Sequence, residues 1–186
     1  MKIFIKDVFD LMALNAKEIN YYEKYAIEVS SLIIFVIALA FHFAMIAPVE
    51  TWMASFSFSV ILHFLVFIVA TLVLRLWLQI KKIYVSFTCL YNLTVLASVI
   101  DLLFLPLALL DGYLNQAVFL GLYAILFASS LVIIISAVST STQAGLSFVF
   151  SGIIIALMLV FLVSAIAHIV AVVTGMLLPP EPFMLI

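Results

Sequence analysis

Charge is scarce in this chain. Seven lysines and arginines and nine aspartates and glutamates make up 9% of its 186 residues, against about 25% in ordinary soluble domains. So little charge cannot cover a water-facing surface, and a separate soluble module is excluded. One cysteine, Cys89, rules out an internal disulfide framework and reads as a small packing residue inside an apolar run. HExxH, GxSxG and P-loop patterns are missing, and the polar turns are too short to hold a soluble active site. The chain is therefore expected not to be an enzyme. Its basic residues stay beside the apolar runs, so nucleic-acid binding has no support. The first residues mix charged and apolar groups and do not read as a signal peptide, and neither end is expected to carry a lipid.

What is present is hydrophobic: 69% of the residues, including 17 phenylalanines, arranged in runs long enough to span a bilayer. The expected fold is all-α, a polytopic transmembrane five-helix bundle forming a single integral membrane domain over residues 1–186. The runs cover about residues 26–47, 56–79, 83–110, 116–138 and 146–178. The last is the longest. A split into two re-entrant halves would make six spans, but no charge or proline breaks its middle.

Residues 1–25 precede the first run. Lys2 to about Asn20 read as an amphipathic helix lying at the membrane interface. Phe4, Ile5, Val8, Phe9, Met12 and Ala16 fall on one side, and Lys6, Asp10 and Lys17 on the other. Tyr21, Tyr22 and Tyr25 then mark an interface, where amphipathic rings prefer to sit.

The stretch Tyr91 to Leu107 carries a carboxylate, Asp101, well inside an apolar run. A charged group there costs at least about 2.5 kcal/mol. The short side chain of Asp101 cannot reach the interface, so it must face other helices or water, or hold a proton. Tyr91, Thr94, Ser98 and Asp101 recur at helical spacing and form one polar stripe. Pro106 frees the carbonyl of Leu102, one turn back. The stripe is either glue between helices or part of a proton, ion or ligand path. Ser129, Ser130 and Ser136 suit close helix contact, as do Ser147 and Ser151 with Gly152 adjacent.

Three histidines join Asp101 as candidates: His42, His63 and His168. Neutral imidazoles can ligate a metal or haem, and histidines with a carboxylate can relay protons. The four residues lie on four different runs, and no HxxxH or CxxC spacing ties them together. No cofactor is therefore expected, with haem or metal as the alternative.

The basic residues decide orientation. All seven, Lys2, Lys6, Lys17, Lys24, Arg75, Lys81 and Lys82, fall on one side of a five-span chain. The opposite turns carry only Glu50 and Asp111. The positive-inside rule places the N-terminus in the cytoplasm and the C-terminus outside.

The turn Lys81-Lys82, the following Ile83-Tyr84-Val85-Ser86-Phe87, Tyr91 and Pro106 are similar to the span two–three region of the Yip-type domain family of small five-span membrane proteins. The resemblance covers about residues 25–178. It implies an accessory role in membrane organisation or trafficking and supplies no catalytic residue. The expected location is an integral position in a membrane, the bacterial inner membrane. The expected partners are the lipid bilayer and other integral membrane proteins or further copies of the chain. The first functional expectation is a non-enzymatic accessory or scaffold subunit of a larger assembly. The alternatives are a small transporter or proton-coupling unit using Asp101 and the histidines, and a subunit bearing haem or metal.

Overall fold

The computed structural model describes residues 2–44, 52–110, 113, 115–175 and 177. The connection at Pro48 and Glu50, the acidic turn at Asp111 and the tail with Pro179 and Pro180 lie outside the described residues. Every regular element among the described residues is helical. In chain order these are α1 (Lys2–Met12), a 3-10 helix (Ile19–Lys24), α2 (Ile27–Ala44), α3 (Trp52–Ile80), α4 (Phe87–Ala97), a second 3-10 helix (Ser98–Leu103), α5 (Phe104–Leu109), α6 (Gln116–Thr142) and α7 (Leu146–Val173).

Four helices are long and apolar enough to cross a bilayer: α3, the continuous α4-to-α5 rod over Phe87–Leu107, α6 and α7. The apolar stretch Ile27–Ala40 of α2 is shorter. The rod sits at the centre, with 56% of its length buried against 11–17% of the other three. Every residue from Cys89 to Ala97 is buried. Helices α2, α3 and α6 pack around it, and α7 lies along α3. Outward faces are lined by large apolar side chains such as Ile61, Leu76, Phe161 and Ile169, as lipid contact requires.

Local chemistry explains the helix ends. Ser86 caps α4, its hydroxyl accepting from the Cys89 amide at 3.2 Å. The central rod therefore begins at Phe87, and Ile83 belongs to the turn before it. Lys82 adopts φ 61°, and the amides of Lys82 and Ile83 return to the carbonyls of Gln79 and Leu78. That double bond is a Schellman closure made without glycine. The same device ends α1 eight residues before Asn20: Leu14 adopts φ 58°, and the amides of Leu14 and Asn15 bond the carbonyls of Leu11 and Asp10. The long N-terminal helix expected from the pattern is thus a shorter helix, a turn and a 3-10 helix.

The pattern of α1 also resolves differently in space. Asp7, Val8 and Leu11 are buried against the bundle, while Ile5 and Phe9 remain exposed. On α7, Gly152 meets α3 directly. A Cβ there would lie 2.4 Å from Cδ1 of Trp77. The Trp77 ring cannot retreat easily, because its indole N–H donates to the Phe148 carbonyl at 2.8 Å and its ring stacks on Phe148. Gly152 thus leaves the room on α7 that the Trp77 ring of α3 occupies.

Candidate functional site

Pro106 shapes the centre of the bundle. It lies at the third position of α5, in the first helical turn, where a missing backbone N–H costs least. The chain reaches that new start by tightening into the 3-10 segment Ser98–Leu103. The carbonyl that proline would leave idle stays occupied, since the Phe104 amide reaches the carbonyls of Asp101 and Leu102. In a 3-10 helix, side chains three residues apart eclipse. Asp101 is thereby brought directly over Ser98.

This tightened turn borders an internal cavity of about 370 Å³. Each wall is one face of a helix: His63, Phe67 and Ala70 of α3; Thr94, Ser98 and Asp101 of the central rod; Tyr123, Phe127 and Ser130 of α6; Ala156, Leu157 and Val160 of α7. Most of the lining is apolar. Ser130 lies beside the Asp101 carboxyl, and the Tyr123 hydroxyl lies within its electrostatic reach. Ser130 was visible in the sequence as a helix-contact serine; its partner was not. Its neighbour Ser129 instead donates to its own helix, to the Ile125 carbonyl at 2.8 Å.

The hydroxyls of the stripe are already committed. Ser98 donates to the Thr94 carbonyl and Thr94 to the Tyr91 carbonyl, both at 2.9 Å. The 3.4 Å contact between Thr71 and Thr94 must then take its hydrogen from Thr71. His63 places Nδ1 2.7 Å from the Ser59 carbonyl. A carbonyl only accepts, so Nδ1 carries the hydrogen and Nε2 is the acceptor nitrogen of the neutral ring.

The predicted candidates separate. Asp101, Ser98, Thr94 and His63 meet in the cavity. Tyr91 turns the other way, packing with Ile34 and Val95 and stacking on Phe87. His42 sits among the rings of Trp52 and Phe56, between α2 and α3. His168 is exposed on α7 against Phe58. No three His, Cys, Asp or Glu side chains among the described residues are placed to hold a metal.

A second polar centre lies at the N-terminal end and was not anticipated. Asp7, 1% exposed, accepts hydrogen bonds from Lys17 at 2.5 Å, Lys24 at 2.8 Å, Tyr21 at 3.0 Å and Tyr25. Burial alone would raise the Asp7 pKa; the four donors outweigh it and hold the carboxyl well below its ordinary 3.8. The hydrogen bond to Asp7 raises Lys17 above its ordinary 10.5; Lys24 is raised too, its bonds to Asp7 and Tyr21 outweighing a larger opposing cost of burial. The core helix completes the fastening. Asn92 is fully buried on α4, donates to the Tyr22 and Tyr25 carbonyls at 3.0 and 2.8 Å, and accepts from Ser30 at 2.6 Å. An asparagine in an apolar run was the available signal, but it lies off the polar stripe.

The Asp7 cluster carries a pH expectation. A depressed carboxyl stabilises the docked segment above pH 3.8 and ceases to as pH falls through its lowered value. The raised lysines stabilise it below pH 10.5 and cease to as pH rises through their raised values. Amide exchange of residues 2–24 should stay flat between about pH 4 and 10 once corrected for intrinsic rates. Asp7→Asn should weaken docking by about 1–2 kcal/mol, less than a sealed ion pair would lose, because both lysines are partly solvated. Unchanged protection in that variant would remove the carboxylate from the fastening.

The chain matches no protein-family model, no curated protein and no solved structure.

Proposed function

We propose that the chain is a small integral membrane transporter or proton-coupling unit built on the Asp101–His63 cavity. One observation carries the reading: a carboxylic acid and an imidazole from separate helices line one cavity inside an otherwise apolar bundle. Ionisable side chains inside a membrane are expensive and mark ion or proton paths more often than they serve packing alone. The tightened turn under Asp101 adds support, because mid-helix 3-10 segments recur at hinges. In this reading α2 is the fifth span, and the basic N-terminal segment and the Arg75–Lys82 region face the cytoplasm. The α1 helix rests at the cytoplasmic interface, with Ile5 and Phe9 toward lipid.

The test needs no substrate. Proteoliposomes adsorbed on a solid-supported membrane and subjected to a pH jump should give a transient charge displacement as the cavity gains or loses a proton. Asp101→Asn should abolish it. No current from the unaltered protein, or an equal current from the variant, overturns the reading.

The accessory-subunit reading keeps one specific observation: Ser147 and Ser151 lie exposed on α7, a small-residue face open to another helix. Purification in gentle detergent from the native membrane, followed by mass spectrometry, should then return stoichiometric membrane partners. A lone chain or a homo-oligomer would exclude it.

A further inference from the structure

We propose that the Asp101 cavity takes a single-chain cationic amphiphile, of the alkylamine class, which reaches it sideways from the bilayer between α6 and α7. The inference deepens the cavity reading above and rests on it.

Shape supplies the route. Beside the cavity lies a second, shallower groove between α6 and α7 that shares Phe127, Leu157 and Val160 with it. The groove continues to Met158 and Phe161, whose side chains are among the most exposed on α7. The two helices are held together at one end by the short turn Gln143–Gly145 and near it by the buried pair Val138 and Val149. The groove lies toward the opposite end, and the apolar side chains of Phe127, Leu157 and Val160 form the wall it shares with the Asp101 cavity.

Chemistry selects the head group. No lysine or arginine lines the cavity, and Asp101 is its acid. Ser98 and Thr94 have given their hydrogens to backbone carbonyls, which leaves Ser98 an acceptor, while Thr94 already accepts from Thr71. The Ser59 carbonyl holds the Nδ1 hydrogen of His63. Ser130 and Tyr123 add hydroxyls that can donate as well as accept, but no fixed cation on the wall answers the Asp101 carboxyl. An alkylammonium is the complement: three donors, no acceptor and a positive charge. A carboxylate or phosphate head would meet Asp101 as a like charge. The apolar walls suit one alkyl chain, and about 370 Å³ lies at the small end of the ~300–1,000 Å³ range of ligand pockets.

The experiment uses the full chain in phosphatidylcholine nanodiscs. The probe is dodecylamine carrying a mid-chain photoreactive diazirine, compared with the same chain ending in a hydroxyl or a carboxyl. Crosslinks are mapped by mass spectrometry. The amine should label α6 and α7 around Phe127, Leu157 and Val160, saturably, and excess dodecylamine should compete it away. Asp101→Asn should cut that labelling at least tenfold, and Asp101→Glu should retain it. Val160→Trp, which fills the junction of cavity and groove, should block labelling while Asp101 is intact. Thermal unfolding of each variant shows whether it has folded; Asp101→Glu keeps the test open if the amide variant fails. Equal labelling by the alcohol or carboxyl chain, unsaturable labelling over the whole lipid-facing surface, or undiminished labelling of Asp101→Asn overturns the proposal. Proton current without saturable amine labelling ends the ligand class and leaves the proton reading standing. Saturable labelling without current supports the ligand class and removes proton coupling.

Discussion

Asn92→Leu is expected to release the N-terminal segment from the bundle while leaving the transmembrane helices packed. Leucine matches asparagine in shape and is at home in a helix core, so the packing of α4 against α2, α3 and α6 has no reason to fail. What disappears is hydrogen bonding. The Tyr22 and Tyr25 carbonyls each lose a donor, and the Ser30 hydroxyl loses its acceptor. The Tyr22 carbonyl still accepts from the Tyr25 amide at 3.3 Å, so the Tyr25 carbonyl and the Ser30 hydroxyl are the groups left unpaired, and at about 1–3 kcal/mol each they are worth about 2–4 kcal/mol after relaxation. At about 1.4 kcal/mol per factor of ten, amide exchange over residues 2–24 should rise by about thirtyfold or more. Asn92→Asp separates donor from size: it keeps the Ser30 acceptor, lacks both donors and should release the segment as well. Unchanged exchange in both variants would show that Asp7 and the apolar contacts of Val8 and Leu11 hold the segment alone.

That prediction rests on residues that were hard to see in one dimension. The helices themselves were legible, because an apolar run of span length with turn residues at its ends has few other outcomes. So was Asp101, whose insertion cost singles it out. The meeting of Asp101 with His63 was not legible, since spacing along one helix says nothing about which face of another it meets. The end of α1 was missed for a different reason. It closes on a left-handed residue, Leu14, where glycine is the usual signal. The 3-10 turn under Asp101 follows from Pro106 once its place in α5 is known. The proline alone foretold a disturbed turn without saying that Asp101 would lie in it. Asp7 carried no signal of its own in the pattern; Lys17, Lys24 and two tyrosines, brought round by the turn after Met12, enclose it.

Asp101→Asn is expected to separate stability from function. The amide has the same shape and keeps its place beside Ser130, so the contacts of the 3-10 turn persist. It also removes the cost of keeping an ionisable acid inside the bundle, at least about 2.5 kcal/mol when charged. Thermal unfolding in detergent should therefore be unchanged or shifted upward, while the current after a pH jump is lost. A substitution that stabilises a fold and silences it marks a group retained for activity at the expense of stability. An undiminished current from the folded variant would make Asp101 glue between the central rod and α6. Ser130→Ala sharpens the distinction. It deletes the Asp101 partner on α6 and leaves the acid in place. If the carboxyl works by exchanging a proton with the cavity, this variant should keep the current and change the pH at which it is half-maximal. If the Asp101–Ser130 contact is structural, Ser130→Ala should lower thermal stability and leave the pH dependence where it was.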